Sequence, residues 1–415
     1  MSEPRQDRPF DVVVYGASGF VGRLVAEYLA QHAAGVRVAL AGRSAARLEE
    51  VRAELGPAAE GWEILTADAE DDAALAALAR STRVVATTVG PYTRHGLPLV
   101  RACAEAGTHY ADLAGEVFFI RDSAARFDDV ARRTGARIVH ACGFDSVPSD
   151  LGVLLTAERA RADAAGELRE TTLTVRALGG GISGGTVDSV RVQVDAARDP
   201  ENRRTLADPY ALSPDRDAEP DLDQHVPGRA FRDATTGEWV APFPMGSFNA
   251  QVVHRSNSLQ GWAYGRTFRY REVVDCGRGK RGERRARALA AGTEAGILAL
   301  ALPPTRWVAD RLLPSPGEGP DAQTRHAGFF RLEVLARTTA GARYRTTVAA
   351  QGDPGYEATA VMLGEAVLAL ASDGDRLPGG GGVRTPATAV GMVLADRLVR
   401  AGFEITTDRV GEPAP

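Results

Sequence analysis

Gly16, Gly19 and Gly22 stand at G-x-x-G-x-x-G spacing between two segments of different periodicity. Before them, Asp11 to Tyr15 is a short apolar run with three successive valines, the pattern of a parallel strand covered on both faces. After them, Val21, Leu24, Val25, Tyr28 and Leu29 recur at helical spacing. A strand, a glycine turn and a helix in this order can bind the pyrophosphate of a dinucleotide. The turn lets backbone approach the phosphates, while the helix N-terminus offers unpaired N–H groups and the positive end of its dipole. Gly16, Ala17, Ser18, Gly19, Phe20, Val21 and Gly22 are the expected phosphate cradle.

The next strand, Val36 to Ala41, ends in Gly42-Arg43-Ser44. An acidic residue there would hold a ribose 2′-hydroxyl, whereas an arginine accommodates a 2′-phosphate. Arg43 and Ser44 therefore point to NADP(H). Asp68 follows a third strand, Trp62 to Ala67, at a position directed toward the adenine. Gly90-Pro91-Tyr92 follows a fourth, Val84 to Val89, where the nicotinamide half should lie. Tyr92 there would give a proton or hydrogen-bond a carbonyl oxygen; packing against a neighbouring helix is the other reading. Asp145 and Ser146 close a sixth strand, Ile138 to Ala141. They either assist a proton donor or cap the helix entered through Pro148.

Helices expected over Ala45–Leu55, Asp71–Ala79, Leu97–Ala106 and Phe118–Thr134 separate these strands, with Tyr110–Leu113 as the fifth. The alternation implies an α/β fold: an N-terminal Rossmann-type doubly wound parallel sheet with right-handed crossovers. The rhythm stops near residue 165. The expected division is 1–165 for the dinucleotide domain, 166–375 for a second α+β domain serving substrate and dimerisation, and 376–415 as a C-terminal segment returning to the first. In the second, Thr171–Ala177 is strand-like, Val187–Val194 fits helix or strand, and Asp199–Gly237 reads as long loops. Phe329–Ala336 and Ala342–Ala349 form a hairpin, and Glu357–Ala371 and Thr388–Ala401 are helices. Ala288 to Leu313 is the most apolar stretch, and Pro303-Pro304 with Glu294, Arg306, Asp310 and Arg311 argue against a transmembrane span. A buried helical pair is the first reading of it; a membrane-lying amphipathic element or an acyl-chain groove is the second.

The net charge of −5 over 415 residues gives no bulk positive field for nucleic acid. Three cysteines, Cys103, Cys142 and Cys276, lie far apart and build neither a zinc nor a disulfide framework, so no metal is expected and the compartment reads as cytoplasmic. Gly181-Ile182-Ser183-Gly184-Gly185 formally matches a hydrolase nucleophile elbow, with His225, His254 and His326 downstream. That elbow needs a sharp turn, however, and a run so rich in glycine is loose. A dinucleotide turn also has no role in a hydrolase.

GASGFVG, AGR, TTVGPYTRHGLPLVRACAEAGTHYADLAGE and HACGFDSVPSDLG resemble the saccharopine dehydrogenase-like oxidoreductases, and among them the actinobacterial trans-acting enoyl reductases. The likeness continues through GGISGGTVDS, RSNSLQGWAYGRTFRYRE and GDPGYEATAVMLGEAVLAL to nearly the whole chain. The resemblance implies an NAD(P)-binding domain with an inserted α+β domain, and makes GGISGG a family loop. It implies reduction of an enoyl thioester of a polyketide or fatty acyl chain, held on a carrier protein of a polyketide synthase, in lipid biosynthesis. It also implies a homodimer. Tyr92 is then the first candidate proton donor, with Asp145 and Ser146 in support. Two other readings are open. Saccharopine-type imine chemistry needs a carboxylate-binding cluster, for which Arg94, Arg121, Arg191 and Arg255 have no grouping spacing. A membrane- or lipid-associated NADP-binding protein without turnover is motivated by 288–313.

Overall fold

The structure is a computed structural model that describes residues 8–180, 184–220, 222–224, 228–302, 305–307 and 319–411. Its first strand, β1 (Phe10–Tyr15), sends Val12 and Val14 into one buried cluster and Val13 and Tyr15 into another. A strand apolar on both faces must lie inside a sheet covered on both sides. The chain continues through α1 (Phe20–His32), β2 (Val38–Gly42), α2 (Ala45–Leu55), β3 (Glu63–Thr66) and α3 (Asp72–Ser81). Then come β4 (Thr82–Thr87), α4 (Tyr92–Ala106), β5 (His109–Asp112), α5 (Val117–Thr134), β6 (Arg137–Val139) and α6 (Val147–Ala162).

The second region opens with β7 (Leu168–Gly179), α7 (Gly184–Ala196), α8 (Pro200–Ala207), β8 (Phe231–Arg232), β9 (Trp239–Pro242), α9 (Gly246–Leu259), β10 (Arg269–Asp275) and α10 (Gly279–Ala301). It ends with α11 (Ala322–Ala327), β11 (Phe329–Thr338), β12 (Arg343–Gln351), α12 (Glu357–Ser372), β13 (Gly382–Arg384), α13 (Pro386–Ala389), α14 (Gly391–Arg400) and β14 (Glu404–Val410). Among the described residues these strands form two sheets. One is parallel, in the order β13-β6-β5-β4-β1-β2-β3. The other, β14-β12-β11-β7-β10-β9-β8, is antiparallel except where β7 meets β10.

Several sequence expectations shift. α4 begins at Tyr92, five residues before the expected Leu97, because Pro91 takes the N-cap position and the Glu116 carboxylate accepts the Tyr92 and Thr93 N–H groups. The 199–237 stretch holds a helix, α8, started by Asp199 accepting from the Glu201 N–H and by Pro200 at its first position. The segment that fitted helix or strand is helical in α7. α9 has no counterpart in the sequence reading. The return to the first sheet starts before residue 376, since α12 already packs on α1 and the parallel strands, while β14 pairs with β12 in the second sheet. The apolar stretch from Ala288 is also not a buried pair: α10 is exposed along most of it, and 303–304 and 308–313 lie outside the described residues. No helix among the described residues is long and apolar enough to cross a membrane.

The contact that sets the site is between Gly16 and Gly22. A methyl group on Gly22 would stand 2.1 Å from the Gly16 carbonyl oxygen, and Gly16 itself has a φ of +90°. Gly22→Ala should therefore push α1 off β1, cost on the order of 1–3 kcal/mol by overpacking, and weaken dinucleotide binding at least about tenfold. A melting curve and a nucleotide titration of the variant check both.

Candidate functional site

All strands of the parallel sheet end on one edge, and there the chain opens into a cleft of about 870 Å³. Such an edge, where strand order reverses between β1 and β4, is the usual ligand crevice of an open α/β sheet. Gly16, Ser18, Gly19, Phe20 and Val21 line it, whereas Ala17 and Gly22 lie behind, fully or largely buried against the strand. Gly19 is the N-cap of α1 with no side-chain cap and no acidic residue in the first turn. The first N–H groups of α1 are thus left for an anion.

At the end of β2, Arg43 and Ser44 line the cleft with Arg47, one helical turn on. Ser44 Oγ accepts the Arg47 N–H and so caps α2. Both guanidinium groups are exposed, and among the described residues neither has an ion-pair partner. Arg47 escaped the sequence reading; its i+4 spacing from Arg43 was the available signal. Asp68 also lines the cleft, and its Oδ1 accepts the Glu70 N–H. Tyr15 lies beside it, its phenol pushed up to about 12 by burial. Bare glycine backbone under a helix N-terminus, with two free cations beyond the second strand, fits the pyrophosphate and 2′-phosphate of NADP.

The other end of the cleft holds Gly90, Pro91, Tyr92, Glu116 and Asp145. Tyr92 is buried; its hydroxyl donates to the Thr87 carbonyl at 3.2 Å and accepts from the Leu113 N–H at 3.2 Å. Burial, with Asp112 nearby, holds its proton far above the ordinary phenol range. Tyr92 thus braces the ends of β4 and β5, and the hydroxyl expected to give up a proton is already committed. Ser146 turns the other way: its Oγ donates to Asn249 Oδ1 at 3.0 Å, and Asn249 Nδ2 in turn donates to Glu272 Oε2 at 2.9 Å. Glu272 also accepts from Tyr270 at 2.6 Å, and burial raises its carboxyl to about 7. This buried line fastens the start of α6 to the second sheet.

Asp145 differs from both. It is half-buried on the cleft wall, close to Gly115, and among the described residues its carboxylate has no hydrogen-bond partner. Removal from water raises its pKa to about 6. Two carboxylates nearby are fully engaged instead. Glu116 caps α4, as described above. Asp112 is buried, accepts the Ala114 and Ala141 N–H groups, and meets His140 Nδ1 at 2.7 Å; His140 Nε2 meets Ser123 Oγ at 2.8 Å. That Ser–His–Asp line has the connectivity of a hydrolytic triad but is sealed inside the core, where it holds the ends of β5 and β6 together. From the second region, α7 brings Asp188 and Ser189 to the cleft, and Gln193 Nε2 donates to the Gly115 carbonyl at 3.0 Å. Ser183 and His225 of the elbow pattern lie outside the described residues. None of Arg94, Arg121, Arg191 and Arg255 lines the cleft; Arg255 is buried, donating to the Leu212 and Val383 carbonyls.

Residues 12–139 match the family profile of the saccharopine dehydrogenase NADP binding domain. A Mycobacterium tuberculosis protein named trans-acting enoyl reductase is 46% identical over 417 residues, covering 97% of this chain and 99% of its own. Another from the same organism is 50% identical over 415 residues (97% and 98% covered) and bears the same name with a provisional qualifier. Among solved structures, saccharopine dehydrogenase (L-Glu forming) from Saccharomyces cerevisiae superposes with a TM-score of 0.54 at 14% identity, covering 97% of this chain and 100% of that one. That likeness is one of fold.

Arg43→Ala and Arg47→Ala should each cost about 1.5–3 kcal/mol of NADPH binding, roughly tenfold or more in affinity, through loss of a charge-assisted phosphate contact. NADH affinity should stay level. Nicotinamide fluorescence titrations of both nucleotides read this, and an undiminished NADPH preference in the double variant would overturn the assignment.

Proposed function

The chain belongs to the saccharopine dehydrogenase-like oxidoreductases, among the trans-acting enoyl reductases, and on that premise we propose that it reduces the C=C bond of an enoyl thioester with Asp145 as the proton source. The protein is an NADP-dependent oxidoreductase. The observation carrying the proposal is that one cleft pairs a phosphate cradle at one end with a desolvated, unpartnered carboxyl at the other. When bound, NADPH would supply the hydride that the β-carbon of an enoyl thioester requires.

Reduction leaves the α-carbon in need of a proton. A carboxyl held near pH 6 by burial carries one close to neutral pH, where an ordinary aspartate would not. Its place on the cleft wall lets water in the cleft return the proton after each turnover. Tyr92 and Glu116 contribute by placement, since they keep the ends of β4 and β5 and the start of α4 fixed around the reacting end. Arg43 and Arg47 would hold the far end of the cofactor and so restrict how it sits in the cleft that Asp145 also lines. The substrate in this reading is an acyl or polyketide chain presented on a carrier protein. Imine reduction of an amino acid is less well supported, because the arginines that would hold its carboxylates are scattered or buried.

With an enoyl thioester as acceptor, loss of NADPH absorbance should follow a kcat that falls as pH rises through about 6, because Asp145 keeps its proton up to that raised pKa and loses it above. Asp145→Asn should lower kcat by on the order of 10²–10⁴ and flatten that limb, with NADPH affinity unchanged. A variant keeping both rate and pH limb would remove Asp145 from the chemistry. NADPH binding without any wild-type turnover would remove the enoyl reductase reaction.

A further inference from the structure

α10 carries a stripe that the reaction does not use. Lys280, Arg284, Arg287, Ala291, Ala295, Leu298 and Leu302 succeed one another at spacings of three or four residues, so they share one side of the helix, and all are exposed. The stripe changes character along its length. Between Gly279 and Arg287 stand five cations, Lys280, Arg281, Arg284, Arg285 and Arg287, against the single carboxylate of Glu283. From Ala288 to Leu302 only Glu294 is charged. There the apolar exposure is large: on the stripe Leu298 is 58% exposed and Leu302 54%, with Ile297, about a quarter-turn round, at 49% and Trp307, just beyond the helix, at 59%. Side chains of this kind cluster so openly on a monomer surface where something else is meant to cover them.

We propose that this side of α10 adsorbs to an anionic bilayer surface. The charge pattern selects that occupant over a second copy of the chain. A two-fold dimer through α10 sets the helices either parallel, with cations facing cations, or antiparallel, with Lys280 and Arg284 desolvated against Leu298 and Leu302. A bilayer takes both ends at once. Arg287 and Leu298 are separated along the axis by about 16 Å at 1.5 Å per residue. A helix tilted toward the membrane therefore keeps its cations at the phosphates while Leu298 and Leu302 sink below them. The contact also bears on the cleft. Arg306 pairs with Asp195 at 2.7 Å, and Arg198 reaches the Ala301 carbonyl at 3.5 Å, so α10 is tied to α7. The other end of α7 supplies Asp188 and Ser189 to the cleft wall. Adsorption would hold the mouth of the cleft near a lipid surface, and it does not depend on the enoyl reductase reading.

The test is co-sedimentation of the full chain with phosphatidylcholine vesicles, with and without phosphatidylglycerol. Wild type should pellet with the anionic vesicles only, and less as salt rises. Lys280→Gln with Arg284→Gln should lower the partition coefficient roughly thirtyfold, and Leu298→Ser with Leu302→Ser at least about tenfold. Both variants should titrate with NADPH as wild type does, which shows that they are folded. Equal partitioning of wild type and variants would overturn the proposal. So would a wild-type dimer that Leu298→Ser dissolves without any vesicle binding, since that places a second copy on the stripe.

Discussion

The contact of α1 with β1 through Gly16 and Gly22 is the constraint on which the rest of the molecule depends. With no side chain between them, the helix starts directly over the strand's end and aims its free N–H groups into the space beyond the sheet. Because every strand of a parallel sheet ends on the same edge, the loops after β2, β3, β4, β5 and β6 are then obliged to share that space. The same contact fixes the C-terminal part of the chain. Phe20, the first residue of α1, packs edge-on against Tyr356 with ring centroids 5.0 Å apart, and Tyr28 donates to Glu365 at 2.5 Å. α12 is held on the first sheet by the helix that the glycine turn positions.

Three acidic residues occupy the reacting edge, and their partners separate their roles. Asp112 has backbone donors and a histidine, and Glu116 has two helix N–H groups and the Thr93 hydroxyl. Charge-assisted hydrogen bonds of this kind contribute about 1.5–3 kcal/mol each and make a carboxylate a fixture. Asp145 is desolvated and, among the described residues, has no such bond, and the desolvation raises its pKa. A desolvated carboxyl without such bonds costs stability, and that sets Asp145 apart from its two neighbours.

Much of this was legible in the sequence where the pattern is local. The strand–glycine–helix unit, the arginine after β2 and the strand alternation depend on neighbours within a few residues, and the structure shows those elements there. Roles that depend on partners far along the chain were not legible. The hydroxyl of Tyr92 is spent on Thr87 and on Leu113, 21 residues away, and nothing around Gly90-Pro91-Tyr92 announces that. Ser146 is turned aside by Asn249, 103 residues on. α9 was missed for the same reason. It is buried nearly all round, with Asn249, Gln251, His254, Arg255, Ser256 and Asn257 set among Phe248, Ala250, Val252 and Val253, so no exposed polar side sets off an apolar stripe.

The ambiguity of the stretch from Ala288 has a different origin. Composition alone cannot separate an apolar helix that is buried from one that is covered only in a larger assembly, because both avoid charge. What separates them is the continuation of the side on which the apolar residues lie. In α10 that side begins with lysine and arginine and never turns inward, since the residues buried on the helix are few and mostly small: Gly282, Ala286 and Leu300. A core helix would place its leucines where those residues are. The helix is therefore anchored by a narrow seam to β9 and α7 and offers the remainder of its surface outward. As α7 also lines the cleft through Asp188 and Ser189, whatever meets that surface lies one helix away from the cleft.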